Sequence, residues 1–184
     1  KVLALLFSAA TFVLSIGVYL SVAHSETGSL QFTANWIPEM NIHFSLLVDG
    51  LSIWLLLLTN FLVPVILLAS YQKSFKNEAA LYALVLLMQF GLVGVFTAAD
   101  GFLFYIFWEL ALIPIYFICL FWGGDNRTRI TFKFFVYTLL GSLFMLAALI
   151  YVYLHTSGTP HSFAIKDLYV AGQQLSQTEQ IFVF

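Results

Sequence analysis

The sequence predicts an all-α integral membrane protein, a bundle of about five transmembrane helices, and three observations predict it. Of its 184 residues, 61% are hydrophobic and only 9% charged, an imbalance that one soluble core of this length does not hide. Five stretches each supply about 20 mostly apolar residues, the length at which a helix crosses the hydrocarbon while satisfying its own backbone. Between these stretches the positive charges segregate to one side of the membrane, as short loops require.

Span A, roughly residues 2–22, is VLALLFSAATFVLSIGVYLSV, without a charge after Lys1. A secretory signal peptide carries a shorter apolar region of about 7–15 residues, so a membrane span is the better reading. Span B, roughly 45–70, opens on LLVDGLS, where Asp49 is suited to cap a helix start and to favour its dipole. Pro64 within it frees the carbonyl of Asn60, whose own amide then needs a partner inside the bundle. Span C, roughly 79–99, carries Gln89, Gly91 and Gly94, and span E, roughly 130–154, carries Thr138, Gly141 and Ser142. Small and polar residues in such places let helices pack closely. Span D, roughly 101–122, contains the acid discussed below.

Lys1, Lys73, Lys76, Arg127, Arg129 and Lys133 fall on one side of this path and Lys166 on the other, so the first side is expected to be cytoplasmic. Segments 23–44 and 155–180 are then external, and spans C and D are joined by an external turn at Ala99-Asp100-Gly101. Within the first segment, NWIPEMNIHF is expected to form an interfacial hairpin or a loop on the headgroups. Trp36, Trp122, Tyr71 and Tyr151 fit the aromatic belts at the two interfaces. Residues 1–184 read as a single transmembrane region. The chain starts without Met and ends at IFVF, as though entering another apolar stretch, and so reads as a fragment of a longer chain.

Composition also excludes several function classes. A net charge of −2 offers no nucleic-acid surface. Cys119 is the single cysteine, which leaves no disulfide framework, thiol pair or cysteine-built cluster. His24, His43, His155 and His161 lie in the external segments without helical pairing and do not form a metal motif. No phosphate loop or nucleophile–base arrangement is present.

One residue stands against the apolar background. Glu109 lies in FLFYIFWELALIPIYFICLFW (102–122), about 12 Å below the outer end of span D at 1.5 Å per residue. A charge at that depth is costly, from about 3 kcal/mol upward, so the group either keeps its proton or meets a cation from another helix. No Lys or Arg in the other spans matches its depth. An ion or proton pathway is the functional reading, and a neutral Glu hydrogen-bonded between helices is the competing one. Pro114 leaves the carbonyl of Leu110 without its donor and is placed to line a hydrated cavity beside the acid. Tyr105, Leu112, Ile113 and Tyr116 share the helical face of Glu109, and both phenols are candidates to bond to it or to water; aromatic packing is their alternative role.

FLFYIFWELALIPIYFICLFWGG followed by RTRITFKFFVYTLLGSLFML resembles the antiporter-like chain M family of respiratory complex I, the NADH:quinone oxidoreductase, represented in mitochondria by its subunit 4. VDGLS at 48–52, the FWE-x-x-L-I-P acid motif, the WGG after it and KFF-x-Y-T-x-x-G-S follow that family's order and span nearly the whole chain. The resemblance implies a proton-translocating subunit that forms part of a larger antiporter-like fold. It implies no redox cofactor in this chain, with NADH, flavin, iron–sulfur clusters and quinone handled by partner subunits. It implies Glu109 as the proton-relay acid, facing a lysine on a later helix outside this sequence. Its implied partners are the other complex I membrane subunits, lipid and protons. The implied location is a bacterial inner membrane, or the mitochondrial inner membrane for an organellar chain. A subunit of a multisubunit Na+/H+ antiporter is the nearest rival, and a non-transporting membrane scaffold is the rival from another class.

Overall fold

The computed structural model describes residues 1–158 and 160–183. Five long apolar helices dominate it: α1 (Val2–His24), α2 (Ser52–Ala69), α3 (Glu78–Thr97), α4 (Gly101–Trp122) and α5 (Arg127–Leu154). All five have the length and hydropathy to cross a membrane. Their outer faces carry bare Leu, Phe and Val side chains, among them Leu3, Phe7, Leu14, Leu58 and Phe121, as lipid contact demands.

The stretch between α1 and α2 is a two-stranded antiparallel hairpin, β1 (Leu30–Ile37) and β2 (Ile42–Val48), reversed by a single 3₁₀ turn at Pro38–Met40. Asn41 closes that turn at φ 54°, in the left-handed region that asparagine tolerates. Register runs from Leu30 opposite Val48 to Asn35 opposite His43, with an irregularity before Ile37. The Thr33 and Ser45 hydroxyls bond across the strands at 2.9 Å.

This hairpin corrects the expected start of span B. Residues 45–48 are strand rather than helix, and α2 begins only at Ser52. The run Ser45-Leu46-Leu47-Val48 is apolar enough to extend a hydropathy window, but its backbone groups are taken by β1. Asp49 then ends the strand and starts the helix as expected: its Oδ1 accepts from the N–H groups of Leu51 at 3.0 Å and Ser52 at 2.8 Å. These bonds, the one from Ser52 foremost, hold its carboxyl below the ordinary aspartate range.

Two ends of the bundle are distinct. At one, the Lys1 ammonium reaches the carbonyls of Tyr71 and Lys73 and the Glu78 carboxylate (3.0 Å), and the Trp122 indole donates to the carbonyl of Lys76 at 2.8 Å. The lysine-rich segments therefore lie together, in agreement with the charge pattern. At the other end sit the hairpin, the α3–α4 turn and a further helix, α6 (Ile165–Gln174), followed by α7 (Gln177–Val183). The segment 155–180, expected to be external, thus carries α6 and the start of α7.

Inside the bundle, the Gln89 amide of α3 donates to Thr11 Oγ1 of α1 and to Asn60 Oδ1 of α2, each at 2.8 Å. Asn60 and Gln89 are both buried. The partner that Asn60 needed is therefore a side chain on α3. Packing between α3 and α4 is closest at Gly91, where an added Cβ would meet Ala111 at 3.0 Å, and at Gly94, whose neighbour is the Phe107 ring.

Candidate functional site

Helix α4 is built around two carboxylates. Asp100 is its N-cap, with Oδ1 accepting from Phe102 N–H at 2.9 Å and Leu103 N–H at 3.2 Å. Its other oxygen meets the His43 N–H of β2 at 3.4 Å, and only 1% of the residue is exposed. Burial pushes this carboxyl above the ordinary aspartate value, opposed by the three N–H donors. Around it the Gly101 N–H donates to Phe163 O and the Ile165 N–H to Ala99 O, so hairpin, helix start and the strap before α6 meet at one buried acid. By sequence alone Asp100 belongs to an external turn, and its capping role shows in the fold. The signal was available: an Asp directly before an apolar helical run is the usual N-cap pattern.

Glu109 lies near the middle of α4, nine residues or about 14 Å along the axis from Asp100. Its side chain is partly exposed, but Oε1 is fully buried and has no hydrogen-bond partner. Among the described residues no cation lies within ion-pair distance of it; the ion pair present is Lys1–Glu78 at the lysine-rich end. An orphaned carboxylate oxygen in an apolar helix is rare and marks a group whose partner comes from elsewhere or which carries its own proton.

The expected supporting residues separate. Tyr105, one turn earlier, lies beside both Glu109 and Ser142 of α5. Tyr116 does not reach the acid: its ring packs on Phe117 and, at 4.9 Å between centroids, on Phe135 of α5. Pro114 is fully buried and belongs to the stripe Leu103, Phe107, Ala111, Pro114 that faces α3. At 3.6 residues per turn it is rotated about 140° from Glu109, so it packs between helices on a face away from the acid.

Of Thr138, Gly141 and Ser142, expected as close helix contacts, Ser142 is buried beside Tyr105 of α4, whereas Gly141 is not in close contact. Together with Trp108, Leu112 and Met145 the three line a gap of about 200 Å³ between α4 and α5. A Cβ on Gly141 would meet nothing within 4 Å. The Tyr116–Phe135 pair is a bulky contact between the same two helices, and Gly141, farther along α5, lies where they are spaced apart.

With this geometry, similarity to known proteins becomes specific. Residues 98–184, which contain Asp100, Glu109 and the whole α4–α5 pair, match the family described as NADH:quinone oxidoreductase/Mrp antiporter, transmembrane. F(420)H(2) dehydrogenase subunit M of Methanosarcina mazei is 39% identical over 166 residues, covering 88% of this chain and 33% of its own. NADH-quinone oxidoreductase subunit M of Rickettsia typhi is 37% identical over 182 residues, covering 98% of this chain and 35% of its own. The chain thus spans about a third of the length of the curated relatives it matches. A chain of respiratory complex I from Thermus thermophilus superposes with a TM-score of 0.82 at 32% identity, over 98% of this chain and 36% of that one. A chain of the Mrp complex from Dietzia superposes at 0.74 over 99% of this chain and 22% of that one; at 15% identity this shows a shared fold alone. The chain belongs to the antiporter-like membrane subunits of the NADH:quinone oxidoreductase/Mrp antiporter family, on the side of the complex I chain M.

Proposed function

We propose that this chain supplies a proton-translocating element to a complex of the NADH:quinone oxidoreductase type, with Glu109 as the proton-carrying group. The observation that carries this reading is the buried, unpartnered Oε1 of Glu109 in the middle of an otherwise apolar helix. Leaving such an atom unsatisfied costs about 1–3 kcal/mol, which packing alone gives no reason to retain. A carboxyl that exchanges one proton between two neighbours needs a free lone pair, and Glu109 has one. Moving a charge through the membrane potential is worth about 2.3 kcal/mol per 100 mV, so a titrating group near mid-span is suited to the work.

The electron donor and acceptor act on partner subunits in this reading. Relatives are named for different donors, NADH and F(420)H(2), which supports assigning the donor to another subunit. Partners are the other membrane subunits, and the location is an energy-conserving membrane: the bacterial inner membrane, or that of a mitochondrion for an organellar chain. A multisubunit cation/proton antiporter shares the fold, but the sequence likeness lies with the quinone reductases.

The test is Glu109→Gln in the full-length chain assembled in its complex. Proton pumping coupled to donor oxidation should be strongly reduced while subunit content stays normal. Glu109→Asp, one methylene shorter but still titratable, should retain more. Normal pumping by the Gln variant would remove Glu109 from the pathway.

A further inference from the structure

Helix α2 presents one polar side chain among its buried residues: Asn60 stands between Leu56 and Val63, with Ile53 and Leu67 beyond them. Pro64 lies four residues on and has no N–H, so the Asn60 carbonyl lacks the donor that an unbroken helix supplies. An acceptor left free at mid-span finds nothing in lipid and has to be met inside the bundle. The Asn60 side chain is itself half used. Its Oδ1 accepts from the Gln89 amide at 2.8 Å, whereas its Nδ2 makes no hydrogen bond among the described residues. Gln89 mirrors this: Nε2 gives its two hydrogens to Asn60 and Thr11, and Oε1 accepts none.

The three free groups form a matched set. Asn60 O and Gln89 Oε1 are acceptors, and Asn60 Nδ2 is a donor. Asn60 Nδ2 and Gln89 Oε1 each share a planar amide with an atom of the same hydrogen bond, so they lie within a few ångströms of one another. They do not bond directly, and one bridging molecule spans such a separation. Only 3% of either residue is exposed. Among the described residues, the unpartnered side-chain atoms sealed from any water-sized contact are Tyr82 Oη and Glu109 Oε1; the free ends of the Asn60 and Gln89 amides are not sealed.

We propose that α2 and α3 hold one structural water between Asn60 and Gln89, which donates to the Asn60 carbonyl and to Gln89 Oε1 and accepts from Asn60 Nδ2. Three polar partners lie within the two to four that a buried water takes. The water returns to α2 the hydrogen bond that Pro64 withholds, and ties the broken turn to α3. It passes no proton on, because Asn60, Gln89 and Thr11, the side chains that surround it, do not titrate. The site lies on the face of α3 turned to α1 and α2, away from α4, and is independent of what Glu109 does.

The experiment compares density maps of the assembled complex containing the full-length chain, parent and Pro64→Ala, at a resolution that shows ordered waters between other membrane helices. The parent should show one peak within hydrogen-bond distance of Asn60 O, Asn60 Nδ2 and Gln89 Oε1. In Pro64→Ala the Asn60 carbonyl turns to the new N–H of its own helix, and the peak should fall to about half its height or less, since two partners are the lower limit for a buried water. No peak in the parent overturns the proposal, as does a peak unchanged in place and height in the variant. Proton pumping per donor oxidised should be the same in both. A loss of pumping in Pro64→Ala at normal subunit content would put the water on a proton path and overturn its structural role.

Discussion

Asp100 and Glu109 occupy the same helix, and their surroundings set them different tasks. Asp100 is enclosed by N–H donors from two elements and closes a joint. Glu109 has a buried oxygen without a hydrogen-bond partner. For Asp100 the pH sign follows from burial: its folded-state value lies above the ordinary 3.8, so its contribution to stability is fully present below that value and is lost as pH rises through the raised one. Asp100→Asn keeps an acceptor for the helix N–H groups without the buried charge, and its thermal unfolding in detergent at neutral pH should match or exceed the parent. Asp100→Ala removes the cap and should cost about 1 kcal/mol or more in the same measurement. Glu179 runs the other way. The Ser176 hydroxyl first, then the Tyr151 phenol and the Ser176 N–H, lower it from 4.5 to about 2, so its contribution is present above 4.5 and lost as pH falls toward 2. Hydrogen exchange of α7 amides, corrected for the intrinsic pH dependence of exchange, should show protection falling within that window, and Tyr151→Phe should lower it already at neutral pH.

Among the elements, α3 is the hub, with a polar face toward α1 and α2 and a glycine face toward α4. Gln89 alone bonds both Thr11 and Asn60. Gln89→Leu should therefore cost roughly 1–3 kcal/mol of unfolding free energy by leaving a buried Asn60 oxygen unpaired. Adding Asn60→Leu should recover part of that loss, and a double-mutant cycle measures the coupling. On the opposite face, Gly94→Ala drives a methyl group into the Phe107 ring and should destabilise by about 1–3 kcal/mol, whereas Gly141→Ala meets open space and should change thermal stability little. Both glycines read alike in sequence. Only the neighbouring helix tells them apart, because closeness is a property of the pair and hydropathy belongs to one chain segment. The strand at 45–48 escaped detection for a related reason: four apolar residues fit a helix or a buried strand equally, and the partner that decides lies in 30–37.

At the scale of the molecule, charge and contact agree on which segments share an end, since Lys1 bonds the α2–α3 turn and Trp122 the carbonyl of Lys76. The excess of Lys and Arg at that end predicts its exposure to the cytoplasm. A cysteine introduced near His161, at the hairpin end, should react with an impermeant thiol reagent only from the opposite, external side; labelling from the cytoplasm would invert the topology. Number and order of the membrane helices, their charge asymmetry, the cap at Asp49 and the exceptional position of Glu109 were determined by the sequence itself, because lipid imposes length, apolarity and polar satisfaction on each segment separately. The tertiary structure alone decided that Pro114 faces α3, that Tyr116 packs on Phe135 while Tyr105 attends the acid, that Asp100 joins three segments, and that Thr138 and Ser142 border a gap. Those facts depend on how one helix is rotated and spaced against the next, a balance of many small packing contacts that no single segment encodes.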